Sequence, residues 1–284
     1  MAIDPFYEIL AARKVIKEAK EINNPELDLA HRGLYFLEDI PGLFKLKNIT
    51  RLTLSHNKLK NVCGIDYYLI NLEILDVTYN RIDEIPNKLT SLPKLRVLNI
   101  SHNSLNELPQ QFGACTVLEI LDCSYNNLTH TRLPGNFFKM ESLRELYLGD
   151  NDFEYFPAEI GNLKNLQILS LAQNDLIEVP GELGQLTKLR ELHLQGNILV
   201  VLPPEIGFLE LASNESVLRL ESNFWVPPIE DRLKLGPSHV LDYLRSETYR
   251  DLYSRHMSAK PPPPPHTLPS LPLPKRAKKS SKQN

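Results

Sequence analysis

Apolar and polar positions along the chain follow one pattern many times over. The segment Ile49-Thr-Arg-Leu-Thr-Leu-Ser-His-Asn57 recurs as Leu72-Glu-Ile-Leu-Asp-Val-Thr-Tyr-Asn80, and again ending at Asn103, Asn126, Asn151, Asn174 and Asn197. The asparagines are separated by 23, 23, 23, 25, 23 and 23 residues. Within the copy Leu166–Asn174, Leu169 and Leu171 alternate with Ile168, Ser170 and Ala172. Alternation is the period of a short strand, with one set of side chains entering a core and the other facing out. After each Asn comes x-Leu-x-x-Leu-Pro, then an apolar residue and often Gly, as in Leu105…Leu108-Pro109…Phe112-Gly113. Proline fixes the backbone where no sheet hydrogen bond is required, and so short a period leaves room only for a helical or 3₁₀ turn.

A motif L-x-x-L-x-L-x-x-N at this period is the leucine-rich-repeat signature. It predicts an α/β solenoid: a curved parallel β-sheet, short convex turns, and helical caps at both ends. The Asn falls where the chain turns away from each strand, and its amide satisfies backbone groups inside the turn, building an asparagine ladder. A ligand-binding role for the asparagines is the lesser alternative. Two extra residues in Thr129-His-Thr-Arg-Leu-Pro-Gly135 are expected to bulge on the convex or lateral side, either as a tolerated insertion or as a functional loop.

Solenoid ends must be covered, since a terminal repeat otherwise exposes its core. Residues 1–26 read as an N-terminal helical cap starting at Asp4-Pro5, with Ile9, Ala12, Ile16 and Ala19 on one face. Residues 27–223 read as the array, opening on a degenerate repeat with Arg32 in the Asn slot and closing on the strand Val217–Leu220. Residues 224–257 read as a C-terminal cap, with Ser238 as N-cap of a helix burying Val240, Leu241, Leu244, Tyr249 and Leu252. Trp225 is expected to pack that cap onto the last strands, with partner binding as the alternative. Residues 258–284 read as a disordered tail holding Pro261–Pro265, Leu268–Pro274 and Lys275-Arg-Ala-Lys-Lys279. Such a tail solvates the chain, docks in an SH3-type groove, touches acidic phospholipid or serves as a nuclear import signal.

Three exposed columns cross the sheet. The first runs Arg51, Ile74, Val97, Ile120, Glu145, Ile168, Glu191. The second is Thr53, Asp76, Asn99, Asp122, Tyr147, Ser170, His193, and the turn edge carries His56, Tyr79, His102, Tyr125, Asp150, Gln173, Gly196. The middle rungs combine an apolar stripe with acids and tyrosines, the composition of a protein interface. The candidate binding residues are therefore Ile74, Asp76, Tyr79, Val97, Asn99, His102, Ile120, Asp122, Tyr125, Glu145 and Tyr147. The acids predict Lys or Arg on the partner; the plain alternative is that Ile and Val merely suit a strand. Later rungs, with Ser170, Ala172 and Gly196, look less equipped.

Composition narrows the classes. The formal charge of −3 conceals a basic tail: from Lys260 onward there are six basic residues and no acid, leaving 26 basic against 35 acidic residues in the body. An acidic body disfavours nucleic acid. Cys63, Cys115 and Cys123 follow no metal-ligand spacing, and Cys123 replaces a core aliphatic. With no signal-peptide pattern at the N-terminus and no apolar run near 18 residues, an intracellular soluble protein, monomeric on its own, is expected. No G-x-S-x-G, phosphate-loop or H-E-x-x-H motif occurs. Asp76 and Asp122 lie two rungs apart, about 9–10 Å, a separation that suits an inverting glycosidase, but an open sheet offers no cleft. No enzyme activity, cofactor or metal is expected.

Stretches outside the repeat consensus carry a closer resemblance. Leu133-Pro-Gly-Asn-Phe-Phe138, Asn223-Phe-Trp-Val-Pro-Pro-Ile229 and Ser238-His-Val…Tyr243-Leu-Arg-Ser-Glu-Thr-Tyr249…Leu252-Tyr…Arg255-His-Met257 are similar to the Ras suppressor family of small intracellular leucine-rich-repeat proteins. The resemblance spans about Asn24 to Met257, closely enough to read as an orthologue; the N-terminal extension and the tail depart from it. It implies a scaffold whose concave face, at Asn99, Asp122 and Tyr147 among others, binds a LIM-domain adaptor of the PINCH type. Through it the chain would join integrin-linked kinase and parvin at cell–matrix adhesions, in the cytoplasm, and modulate Ras and Jun-kinase signalling. The alternative is a direct Ras-pathway or nuclear regulator that engages a GTPase or kinase and uses the tail for import.

Overall fold

The computed structural model describes residues 5–40 and 42–259. Nine three-residue strands form one parallel sheet in sequence order: β1 (Glu26–Asp28), β2 (Arg51–Thr53), β3 (Ile74–Asp76), β4 (Val97–Asn99), β5 (Ile120–Asp122), β6 (Glu145–Tyr147), β7 (Ile168–Ser170), β8 (Glu191–His193) and β9 (Val217–Arg219). Register is unbroken, with Leu52, Leu75, Leu98, Leu121, Leu146, Leu169 and Leu192 stacked as Cα partners and buried. Each buried Leu contributes about 1.5–3 kcal/mol of transfer free energy. Opposite the strands, turns at Asn87–Ser91, Phe112–Ala114, Phe137–Lys139, Ala158–Asn162, Gly181–Gln185 and Pro204–Phe208 are 3₁₀, as the short period demands.

The asparagine ladder is continuous. In each regular repeat the amide nitrogen donates to a carbonyl of its own turn and to one in the preceding repeat, and the amide oxygen accepts a backbone N–H. For Asn151 these are Leu148 O (3.0 Å), Cys123 O (3.0 Å) and Leu128 N (2.9 Å). At the degenerate repeat Arg32 makes no such bonds; instead Asn57 Oδ1 accepts from Arg32 N and Leu34 N, both at 3.0 Å.

Helix α1 (Pro5–Glu21) lays Ala12, Ile16 and Ala19 on the first repeat, and Asn23, at φ 52°, reverses the chain at its end. Asp4, read as its N-cap, lies outside the described residues. A short α2 (Ile65–Tyr68) replaces the 3₁₀ turn of the second repeat. The C-terminal cap holds three helices, α3 (Pro227–Leu233), α4 (Pro237–Arg245) and α5 (Glu247–Ala259). Ser238 is not a cap: α4 starts from Gly236, at φ 119°, with Pro237 in its first turn. Ser246 instead ends α4 and accepts the Tyr249 N–H through Oγ at 3.2 Å, so its side chain starts α5. Helix α5 also continues two residues beyond the boundary drawn at 257; the proline run and the basic cluster lie outside the described residues. Trp225 is buried and donates Nε1–H to Leu220 O (2.8 Å), locking the cap to the last strand. The insertion forms a 3₁₀ turn, His130–Arg132, between Asn126 and the convex turn, where Arg132 pairs with Glu107 at 3.3 Å.

Candidate functional site: the concave face of the middle rungs

Strand register places the candidate residues in order. Ile74, Val97 and Ile120 are neighbours on β3, β4 and β5, each half-buried, and Glu145 takes the next rung. One residue pair further along each strand stand Asp76, Asn99, Asp122 and Tyr147. Alternation along β-strands puts both columns on the concave side, since Leu75, Leu98 and Leu121 between them are buried.

The second column also works on its own backbone. Asp76, Asn99 and Asp122 each accept the N–H two residues ahead, from Thr78 (3.0 Å), Ser101 (3.1 Å) and Ser124 (2.8 Å). The hydroxyls of Thr78 and Ser101 donate to the same Asp76 and Asn99 oxygens. These side chains end the strands as Asx turns. The Asp76 and Asp122 carboxylates are therefore held by the fold rather than free to rotate. Asp28 does the same for Ala30 N at 2.9 Å. Nothing in the repeat spacing separates this structural duty from a binding one.

Tyr147 belongs with Glu145, to whose Oε2 its hydroxyl donates at 2.9 Å. Burial, then that hydrogen bond and the charges of Glu145, Glu191 and Asp122, push the phenol well above its ordinary pKa, keeping it a donor. A similar pair, His193 Nε2 and Glu191 Oε2 at 3.1 Å, lies two strands on, so the later rungs carry polar groups that the columns alone did not suggest.

The turn edge holds a feature that reasoning along one repeat misses. Tyr79, His102 and Tyr125 are members of a stack with His31 and His56, their ring centroids 4.3, 4.4, 3.9 and 3.9 Å apart and their planes within 12°. All five residues sit at φ 53–56°, the left-handed region. That backbone recurs because the slot must turn out of the strand while its N–H still reaches the next rung, as Tyr79 N does to Ser101 O (3.2 Å) and His102 N to Ser124 O (3.0 Å). The His or Tyr before Asn57, Asn80, Asn103 and Asn126 is legible in the sequence; the stacking follows from rung spacing. Tyr79 and Tyr125 remain nearly half exposed. The stack ends where Asp150 takes the slot, its charge, then burial and a hydrogen bond to it, raising the pKa of Tyr125.

Two shallow hollows lie away from these rungs, one of about 460 Å³ beneath α1 and one of about 320 Å³ beside Arg190 and Glu215. Among the described residues no group of three or more His, Cys, Asp or Glu is arranged to hold a metal ion. No described helix is long and apolar enough to cross a membrane.

Leucine-rich-repeat family models match residues 70–128 and 111–221. Ras suppressor protein 1 of Homo sapiens is 68% identical over 252 residues, covering 89% of this chain and 91% of that one. The Mus musculus protein of the same name is 65% identical over the same extent. Among solved structures, a Leptospira interrogans leucine-rich-repeat protein shares the fold at 24% identity and TM-score 0.57, over 78% of this chain and 73% of that one. The Arabidopsis receptor kinase HAESA, solved with the peptide hormone IDA and the co-receptor SERK1, matches at 29% identity and TM-score 0.59, over 70% and 34%. Repeat pattern, unbroken register and identity along nearly the whole chain agree: this chain belongs to the Ras suppressor protein family, a protein-binding scaffold built from leucine-rich repeats.

Proposed function

We propose that the scaffold is non-enzymatic and that the concave face of its middle rungs binds a LIM-domain adaptor of the PINCH type. Through that adaptor it joins integrin-linked kinase and parvin on the cytoplasmic side of cell–matrix adhesions. In this reading it acts by occupying one adaptor, and so tunes Ras and Jun-kinase signalling without chemistry of its own.

The observation that carries the reading is the stripe Ile74, Val97, Ile120, half-exposed on three consecutive strands and bordered by Asp76, Asn99 and Asp122. Desolvatable area beside pre-positioned acceptors is what an interface core requires. The rings of Tyr79 and Tyr125 extend the same surface toward the turn edge.

Capture of the purified adaptor by immobilised full-length chain tests it. Val97→Arg with Ile120→Arg places two charges in the stripe and should cost about 2 kcal/mol or more, roughly thirtyfold in Kd. Asp122→Asn retains the acceptor for Ser124 N while removing the charge, and should weaken capture less, with most of the loss at low salt. Undiminished capture by the double variant, with an unchanged far-UV spectrum, would sink the proposal.

A further inference from the structure

The array is polarised across its width. In the sixth and seventh repeats, the segments that leave the strands, residues 150–157 and 173–180, contain Asp150, Asp152, Glu154, Asp175 and Glu178 and no Lys, Arg or His. The segments that enter the strands in the same region and the next repeat carry Arg144, Lys164, Lys188 and Arg190, with Glu141 the acid among them. Unlike charges on opposite edges mean that a basic ligand is drawn to one edge and repelled from the other.

Helix α5 packs on the exit side of the array. The Tyr249 hydroxyl, near the start of α5, donates to Leu202 O at 2.6 Å and accepts from Leu202 N at 2.9 Å, on the exit side of the eighth repeat. One turn further on, Tyr253 is half-buried, and burial followed by the charges of Glu205, Glu178 and Glu182 raises its pKa. Glu178 and Glu182 belong to the preceding repeat. Helix α5 is thus anchored on the exit side of the eighth repeat, within the field of acids from the repeat before it. Tyr155, 41% exposed and edge-on to His130, sits in the same exit segment as Asp150, Asp152 and Glu154.

Next in the sequence come five prolines, a second Pro/Leu stretch and six basic residues with no acid. Proline-rich segments favour an extended form, about 3.1 Å per residue, that docks on exposed aromatic rings. Residues 260–284 thus reach at most about 78 Å at that rise, while the rungs from Glu178 to Tyr125 cover only about 10 Å at ordinary strand spacing.

We propose that residues 260–284 of this chain dock in cis on the exit-side edge, the Lys and Arg side chains pairing with the acids between Asp150 and Glu178 and the prolines packing on Tyr155 and the exposed rings of the stack. The proposal does not rest on the partner reading, although it shares the exposed rings of Tyr79 and Tyr125 with that surface. It assigns the tail an occupied surface on its own repeat array, at the rim of the concave face.

Paramagnetic broadening in the full-length chain tests it. Cys63 is the exposed cysteine among the described residues, so Cys63→Ser with Ser280→Cys directs a nitroxide to the tail. Backbone amides of residues 150–155 and 173–178 are expected to lose most of their signal while those of Arg144, Lys164 and Lys188 keep theirs. The loss should vanish when salt is raised to about 1 M, where the screening length falls to about 3 Å. It should also vanish in Glu154→Lys with Glu178→Lys, two exposed positions whose reversal leaves the core untouched. Uniform broadening, or none, overturns the proposal. So does broadening that appears only between a labelled and an unlabelled molecule, which would make the tail a ligand of a second copy.

Discussion

At the scale of single residues, the buried polar positions are the ones with fixed roles. Each ladder asparagine closes at least three backbone bonds that no hydrophobic side chain replaces, and leaving such groups buried and unmet costs about 1–3 kcal/mol. Cys115 is the contrasting case, an inert thiol where repeats elsewhere place Leu. Burial pushes its pKa from 9.0 up to about 12. A pKa raised by folding means stability that is whole below the unfolded value and lost as pH rises toward the folded one. The urea midpoint should therefore decline between pH 9 and 12, and Cys115→Ala should flatten part of that decline. Cys123, Tyr147 and Tyr249 are raised as well and supply the remainder. A slope identical in wild type and Cys115→Ala across that window would refute the assignment.

At the scale of elements, the ring stack shows how one slot becomes a surface feature. His31, His56, Tyr79, His102 and Tyr125 occupy left-handed backbone, which costs a non-Gly residue about 1–2 kcal/mol. Ring contacts along the stack offset this, at about 0.5–1.5 kcal/mol per aromatic pair. The two terms separate at the central ring. Tyr79→Ala removes both contacts and retains the backbone strain, whereas Tyr79→Gly removes the contacts and the strain together. Thermal unfolding should then rank wild type above Tyr79→Gly and Tyr79→Gly above Tyr79→Ala, the last two about 1 kcal/mol apart. Ala equal to or above Gly would mean that the stack does not hold the slot against strain. The Asx turns of Asp76, Asn99 and Asp122 belong to the same scale: they set where each strand stops and fix the three side chains in place.

At the scale of the molecule, every repeat touches its neighbours and little else, so stability is expected to vary along the array. Trp225, bonded to Leu220 at the C-terminal end, reports on that end alone. Asn57, near the other end, serves Arg32, Leu34, Leu29 and Leu54. Asn57→Ala should accelerate amide exchange across residues 27–60 while moving the urea midpoint of Trp fluorescence much less. Equal loss at both ends would show that the solenoid unfolds as one cooperative unit.

The solenoid, the register of its columns, the Asn ladder and the covered ends were legible in the repeat pattern, because a 23-residue period with a buried Leu in each strand and a second buried apolar residue two positions on has few other ways to bury them. The sequence located Ile74, Val97 and Ile120 on one face by alternation alone. It was misled where local signals compete: Ser238 resembles a cap, yet Gly236 and Pro237 start α4, while the true capping hydroxyl, Ser246, sits inside what reads as one continuous helix. What these side chains do to one another follows from the three-dimensional arrangement. The ring stack depends on distances between segments a full repeat apart; the Asp76 and Asp122 turns and the Glu145–Tyr147 and Glu191–His193 pairs join residues two apart and depend on side-chain rotamers that the repeat pattern leaves open. Periodicity names the residues that share a column, but contact between them follows from the rise and curvature of the sheet.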